Sequence, residues 1–378
     1  MNVVSFFSGA GGLDLGFELA GHNIIWANDF DEQAINSYNK NIGSITGINA
    51  GLGDITKILD TSKENIDSIL PDADVIIGGF PCQGFTIANL QRSMKDEKNH
   101  LYLQLLKAIA VKQPKYFFLE NVKGLENMEK GKILPMILDD LENAGTPNSK
   151  IFPDNGYGYT VSYNVFNALN FGVPENRERV IILGIRNDIL DKTQIKKYID
   201  FNITQKKYDY RKRLVIPITH SKSSNLIQKQ KPYEIINELY HQFKTGNIKP
   251  KKIDQNSKIY KSTTLFDAIS DLPLEYDESI PNHIGSKCKV KIANRIGNRA
   301  TFWNKEAPTI MGRGSGTGGP LIPPHPNQHR RFSVREVARI QTFPDDFYFC
   351  GSNSCGYRQI GNAVPVLMAY NLSKIFNE

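Results

Sequence analysis

No apolar stretch of this chain approaches the ~20 residues that crossing a bilayer requires. The N-terminus, Met1-Asn2-Val3-Val4-Ser5-Phe6-Phe7-Ser8, has no basic region ahead of its apolar run, and that run stops at once. It reads as a strand, not a secretory signal. Cysteine is scarce: four in 378 residues is too few for a disulfide framework, which points to a reducing cytosol. Cys350 and Cys355 are near neighbours, but no Cys/His pair elsewhere completes a zinc site. Internal repeats are absent. With 40% hydrophobic and 22% charged residues the composition is ordinary for a globular chain and excludes a disordered one. A chain of 378 residues exceeds one typical core, so a large domain with a smaller companion is expected.

Charge is present but unevenly placed. The net charge is +7, yet Asp191 to Lys261 holds 17 Lys and Arg against 6 Asp and Glu, so the remainder is slightly acidic. A basic block beside a near-neutral body is the footprint of phosphate binding, or a solvated lysine-rich insertion.

Gly78-Gly79-Phe80-Pro81-Cys82-Gln83-Gly84-Phe85-Thr86 is the stretch around which the chain is organised. It follows Val75-Ile76-Ile77, which reads as a buried strand of a parallel sheet. Glycines and a proline then make a tight loop, so Cys82 falls just past the strand's carboxyl end, where open α/β sheets gather ligands and reactive groups. A thiol there is open to activation; a packing cysteine is the plain alternative.

A first strand, residues 2–7, runs into Phe7-Ser8-Gly9-Ala10-Gly11-Gly12, with a helix starting near Leu13. Glycines let the backbone approach a ligand closely, and the helix presents its N-terminal amides. Counting Gly-x-Gly-x-x-Gly from Gly9 places Asp14 at the third glycine, so this is not the dinucleotide fingerprint. It suits a nucleoside cofactor without a pyrophosphate, or a packing turn. Strand Asn23–Asn28 ends in Asp29, where an acid commonly binds ribose hydroxyls. Asp54 either accepts from an adenine amine or caps Ile55-Thr56. Residues 87–99 read as a polar loop before an amphipathic helix, His100–Lys112. The strand beginning at Lys115 ends in Glu120-Asn121-Val122, which puts a carboxylate on the cleft beside Cys82. Two strand-like runs, Thr160–Ala168 and Arg179–Ile185, flank Glu175-Asn176-Arg177-Glu178-Arg179. Arg177 and Arg179, two apart on extended chain, share one face and are either aimed at the cleft or solvated. Beyond Asp191 the pattern degrades. A glycine-rich run, Thr309 to Gly319, reads as a linker or as loops fitting a DNA groove. Arg335–Gln341 reads as a helix, and Gly361-Asn362-Ala363-Val364-Pro365 opens a C-terminal helix, Val366–Phe376.

Together these stretches resemble the C5-cytosine DNA methyltransferase family of bacterial restriction-modification type. Phe-x-Gly-x-Gly at 7–11, Gly-Asp-Ile at 53–55, Pro81-Cys82-Gln83, Glu120-Asn121-Val122, Arg177-Glu178-Arg179, Arg335-Glu336 through Phe343-Pro344-Asp345, and Gly361-Asn362 occur in family order. The resemblance implies an α/β, Rossmann-like methyltransferase domain with a mostly parallel sheet, at 1–190 and completed by 354–378. It implies a smaller, irregular target-recognition domain at 191–353. It further implies Cys82 as nucleophile, Glu120 and Arg179 at the base with Arg177 in support, and base flipping of the target cytosine. Phe7, Gly9, Gly11, Gly12, Asp29, Phe30, Asp54, Ile55, Pro81, Asn362 and Ala363 would line a site for S-adenosyl-L-methionine. Gln83, Arg92, Thr309, Ile310 and Arg313 would touch duplex DNA. A monomer in the bacterial cytoplasm, associated with the nucleoid, is expected, with any cognate restriction endonuclease acting separately. Three positions depart from the family's usual residues: Glu175 for Gln, Asp29 for Glu, and Ile310 for Leu or Val.

Rival readings fail on particular residues. A zinc deaminase needs His-x-Glu and Pro-Cys-x-x-Cys, but no histidine is followed by x-Glu and Phe85 stands three after Cys82. A nicotinamide oxidoreductase fails on Asp14. A relative acting on tRNA cytosine and an inactive DNA-binding relative remain as alternatives.

Overall fold

The computed structural model describes residues 1–59, 62–81, 100–201, 212–223, 226, 231–254, 258–285, 290, 292–293, 298–312, 321–327 and 329–378. Its frame is a mixed sheet. In chain order the strands up to residue 214 are β1 (Asn2–Phe6), β2 (Asn23–Asp29), β3 (Gly51–Leu52), β4 (Val75–Gly79), β5 (Tyr116–Val122), β6 (Tyr159–Asn167), β7 (Glu175–Asn176), β8 (Glu178–Arg186), β9 (Ile199–Asp200) and β10 (Arg213–Leu214). All but β7 join one sheet, in the order β3-β2-β1-β4-β5-β8-β6-β10-β9. β3 through β5 run parallel, and β8 lies antiparallel between β5 and β6. This is the expected α/β architecture with a mostly parallel sheet.

Strand residues alternate between two cores, as the pleat requires. Val3, Val75, Ile77, Phe118, Ile181 and Leu183 face one; Val4, Phe6, Ile76, Phe117, Leu119, Val180 and Ile182 face the other. Helices cover both faces, so the central strands carry apolar residues on both sides. Helices His100–Lys112 and Ile133–Glu142 supply the second core. The first is covered by helix Gly12–Leu19 and by the C-terminal helix, Val366–Ser373. These two pack tightly because residue 16 is glycine: a Cβ there would sit 2.3 Å from the Ala369 Cβ.

Three features differ from expectation. The sheet does not stop at 190, since β9 and β10 extend it, and Ile236, Leu239, Phe243, Leu265 and Ile269 join the first core. The division expected at 190 therefore cuts through the sheet. Gly361 and Asn362 end a helix, Asn353–Asn362, rather than open one; its buried side holds Gly356, Tyr357, Gln359, Ile360 and Gly361 in place of a large apolar stripe. The C-terminal helix stops at Ser373, and a 3₁₀ turn, Lys374–Asn377, finishes the chain's packing. Among the described residues no helix is long and apolar enough to cross a membrane.

Gly16→Val should destabilise the fold by about 1–3 kcal/mol through overpacking, read as a lower urea midpoint. Gly124→Ala, whose new Cβ would meet only Val122 at 3.8 Å, should leave the midpoint unchanged.

Candidate active site

The turn after β1 is shaped by backbone that side chains rarely adopt: Phe7 (φ 56°), Gly9 (φ 54°) and Gly11 (φ 90°) all sit at positive φ. At Gly11 a Cβ would also strike Ile42 and Tyr38. Asp29, at the end of β2, holds this turn from the side. Its Oδ2 accepts from Gly9 N–H at 2.9 Å and its Oδ1 from Asp31 N–H at 2.9 Å. Both readings of Asp54 are compatible with its geometry: Oδ1 accepts from the Thr56 N–H and hydroxyl at 3.0 and 2.8 Å, capping helix Ile55–Ile58, while the residue stays exposed on a cavity wall.

That cavity, of about 1110 Å³, brings together Phe7, Asp29, Phe30, Asp54 and Ile55 from the expected set. Gly9, Gly11 and Gly12 form the turn behind it. Pro81 is exposed just past β4, and Asn362 and Ala363 lie at the end of helix Asn353–Asn362. The opposite wall comes from Leu101, Gln104 and Lys107 and from a loop with Phe152. Sequence reading missed these; Gln104 and Lys107 carried only the signal of polar positions on an amphipathic helix, and Phe152 none. A concave wall of phenylalanines and aliphatics with two carboxylates at one rim fits a nucleoside, and the glycine turn leaves no phosphate cradle of the dinucleotide type.

At the sheet's carboxyl edge, β4 and β5 pair Gly79 with Glu120. A Cβ at 79 would lie 2.9 Å from Glu120 Oε2, so the glycine makes room for the carboxylate. In the antiparallel β5–β8 register Glu120 faces Ile181 and Val122 faces Arg179. Glu120 and Arg179 are thus diagonal neighbours, close enough to meet: Arg179 Nε lies 2.8 Å from Glu120 Oε1. Both are about nine-tenths buried, Glu120 9% and Arg179 8% exposed, so neither is the solvated group of the plain reading. Burial pushes the Glu120 pKa up, against the pull of Arg179 and Arg177. Asn121 donates from Nδ2 to the Phe80 carbonyl at 2.8 Å, which anchors the chain one residue before Pro81. Cys82, Gln83, Arg92 and Arg313 lie outside the described residues, as does the loop 87–99.

Arg177 is placed differently from Arg179. It is fully buried, and its guanidinium donates to the carbonyls of Ile310 (2.8 Å), Gly361 (2.8 Å) and Ala363 (2.9 Å). Its position makes it a clamp on backbone, not a group open to the cleft. Glu175, also fully buried, accepts from Ile310 N–H at 2.7 Å through Oε1, while Oε2 finds no hydrogen bond among the described residues. The short strand Ala307–Pro308 pairs with β7 beside them. Ile310, expected at DNA, therefore points inward: its side chain is completely buried and cannot reach a partner's surface. Thr309 is exposed, with its hydroxyl donating to the Asn176 carbonyl at 2.6 Å.

Behind the glycine turn Asp14 is buried, accepting from Ser5 Oγ at 2.8 Å, and burial raises its pKa to about 7. Within the described part of the basic block, Lys196, Lys197, Lys212, Lys222 and Lys244 pair with Asp191, Glu378, Glu142, Glu306 and Asp346.

Comparison with known proteins gives a consistent picture. A family model described as C-5 cytosine-specific DNA methylase matches residues 1–377. Type II methyltransferase M.NgoFVII of Neisseria gonorrhoeae is 34% identical, over 100% of this chain and 87% of that protein. Type II methyltransferase M.BspRI of Lysinibacillus sphaericus is 32% identical, over 99% and 80%. Among solved structures, the Dnmt2 methyltransferase of S. pombe superposes with a TM-score of 0.57 at 17% identity, over 100% of this chain and 98% of that one. A mutant form of the DNMT2 of Spodoptera frugiperda gives 0.60 at 16%, over 100% and 99%.

Two outcomes are expected. Arg177→Met leaves three carbonyls without their donor and Glu175 without its cation, and should cost about 3–5 kcal/mol in denaturant unfolding, with Arg177→Lys recovering only part because an ammonium cannot fork. For Asp14, the native state holds a proton that the unfolded chain, titrating near 3.8, has already released. Stability should therefore fall as pH rises from about 4 to about 7, and Asp14→Asn should flatten that fall in urea midpoints measured across the interval.

Proposed function

The chain belongs to the C-5 cytosine-specific DNA methylase family, and from that premise we propose that it methylates C5 of a cytosine flipped out of duplex DNA, through a covalent adduct of Cys82. The observation that carries this reading is the buried Glu120–Arg179 pair beside the Phe80-Pro81 turn. Cytosine C5 is a weak nucleophile. Addition of the Cys82 thiolate to C6 makes C5 electron-rich. Charge then develops on the ring at N3, where Glu120 meets it together with the exocyclic amine. A carboxyl whose pKa is raised by burial keeps a proton for N3 more readily than an exposed one. Arg179 orients that carboxyl and reaches O2; Arg177 holds the surrounding backbone in place. Loss of the C5 proton and release of the thiolate complete the reaction. The ring must leave the duplex to reach these groups, and the loop 87–99 would close over it.

S-adenosyl-L-methionine, bound in the cavity, supplies an electrophilic methyl on a sulfonium. Phe30 and Ile55 would hold its adenine, Asp54 the amine, Asp29 the ribose, and the turn from Phe7 to Gly12 with Pro81, Asn362 and Ala363 the remainder. Residues 191–353 would select the sequence, with Gln83, Arg92, Thr309 and Arg313 among the contacts. The relatives named as type II methyltransferases favour duplex DNA as substrate and a restriction-modification setting.

Duplex DNA with 5-fluorocytosine at the target should become covalently attached to Cys82, efficiently only with S-adenosyl-L-methionine present, because fluorine cannot leave as a cation. A denaturing gel and peptide mapping read the outcome; attachment through Cys288, Cys350 or Cys355, or preferential modification of tRNA, would refute the assignment. Cys82→Ser should abolish methyl transfer while leaving cofactor binding intact, since a serine hydroxyl is un-ionised near neutral pH.

A further inference from the structure

Phe30 lines the cavity yet is 70% exposed, so packing does little to fix its place. The backbone of the turn Asp29-Phe30-Asp31 must do so. One side is tied by Asp29, which takes the amides of Gly9 and Asp31. The other depends on Asp31. Its Oδ1 caps helix Glu32–Tyr38 by accepting from Gln33 and Ala34 N–H. Its Oδ2 accepts from Arg358 at 2.9 Å.

Arg358 belongs to helix Asn353–Asn362, and Asn362 stands four residues later, on the same face. The helix end that carries Asn362 and Ala363 is itself fixed by Arg177 through Gly361 and Ala363. Among the described residues Arg358 Nε is buried without a hydrogen bond, and the contact to Asp31 orients the guanidinium. Helix Glu32–Tyr38 and the following turn meet the C-terminal segment elsewhere through Ser37 to Gln359 (2.7 Å), Cys350 N–H to Ser37 Oγ (2.8 Å) and Asn41 to the Tyr348 carbonyl (2.8 Å). The fold therefore survives loss of the Arg358 contact.

We infer that Arg358 is a positioning residue for the nucleoside end of the cofactor: its ion pair with Asp31 sets the spacing between the cavity wall carrying Phe30 and helix Asn353–Asn362, whose end carries Asn362 and Ala363. The inference rests on the reading of this cavity as the cofactor site. At 38% and 22% side-chain exposure the pair is partly screened, so it contributes modestly to stability; its effect is on where Phe30 stands.

Equilibrium binding of S-adenosylhomocysteine, measured calorimetrically without DNA, tests this apart from turnover. Arg358→Met should weaken binding about three- to tenfold, the range of a partly exposed charged hydrogen bond. Arg358→Lys should restore part of it. Asp31→Asn, which keeps the helix cap, should weaken it alike, and the double variant no further. At saturating cofactor, kcat should change by less than about twofold. Phe30→Ala serves as the control on the site. If it weakens binding while Arg358→Met and Asp31→Asn bind as the parent does, the strut is refuted. If Phe30→Ala also binds as the parent does, the reading of the cavity fails and the inference with it. Additive losses in the double variant would likewise refute the pairing.

Discussion

The Arg177 guanidinium is the constraint on which the rest of the structure depends. It is a charge with no access to water, and burial beside Arg179 lowers its pKa to about 10. It stays charged at neutral pH and must therefore be surrounded by acceptors. Three carbonyls and the Glu175 carboxyl supply them. Those acceptors come from the β7 strand, from the start of the glycine-rich run at Ile310, and from the end of helix Asn353–Asn362. Satisfying one side chain brings three segments to a point beside the Glu120–Arg179 pair. Nearby glycines allow the approach: a Cβ on Gly361 would lie 2.4 Å from Gly312 N, and one on Gly312 would lie 2.2 Å from Asn362 Oδ1.

Several carboxylates are held out of water in this fold, two of them, Glu120 and Glu175, beside Arg177. Asp14, Glu18, Asp29, Glu120 and Glu175 all have pKa values raised, desolvation being the largest cause in each case. Each weakens the fold at neutral pH relative to an exposed acid. Asp29 answers the cost with two backbone amides, Glu18 with the Ile24 N–H, and Glu120 with Arg179. Glu175 answers it incompletely, with one oxygen unpaired among the described residues. A glutamine at that position would carry no charge to desolvate, which is the physical content of this chain's departure from the family's usual residue.

The parts of the fold that could be read in advance were those carried by strong local patterns. Apolar runs such as Val75-Ile76-Ile77 and the amphipathic spacing of His100–Lys112 declare a strand and a helix without help from distant residues. The glycines after β1 declare a turn because glycine takes positive φ without the steric cost other residues bear. Helix Asn353–Asn362 stayed hidden because its buried face mixes Gly356, Gln359 and Gly361 with only Tyr357 and Ile360, too few large apolar residues for a helical period to register. The extension of the sheet past 190 stayed hidden because β9 and β10 are two residues each, too short for periodicity to register. At the site, the residue types at 120 and 179 were legible, and the cross-strand register explains their meeting. What separates Arg177 from Arg179 was not legible, since it depends on carbonyls far along the chain. What the lysine-rich block does locally was not legible either: five of its lysines pair with acids, most of them distant in sequence.

The separation of those carbonyls has a consequence in time. Arg177's acceptors lie 133, 184 and 186 residues downstream, and helix Gly12–Leu19 waits for its cover until residues 366–373 exist. A chain growing at about 5–20 residues per second carries an unsatisfied guanidinium and an uncovered apolar helix for roughly ten seconds or more before their partners emerge. Such long loops close late and slowly. The first half of the molecule is thus synthesised as an incomplete surface, and its last helices act as the closing piece, so that a chain truncated near residue 360 would lose far more than the few residues removed.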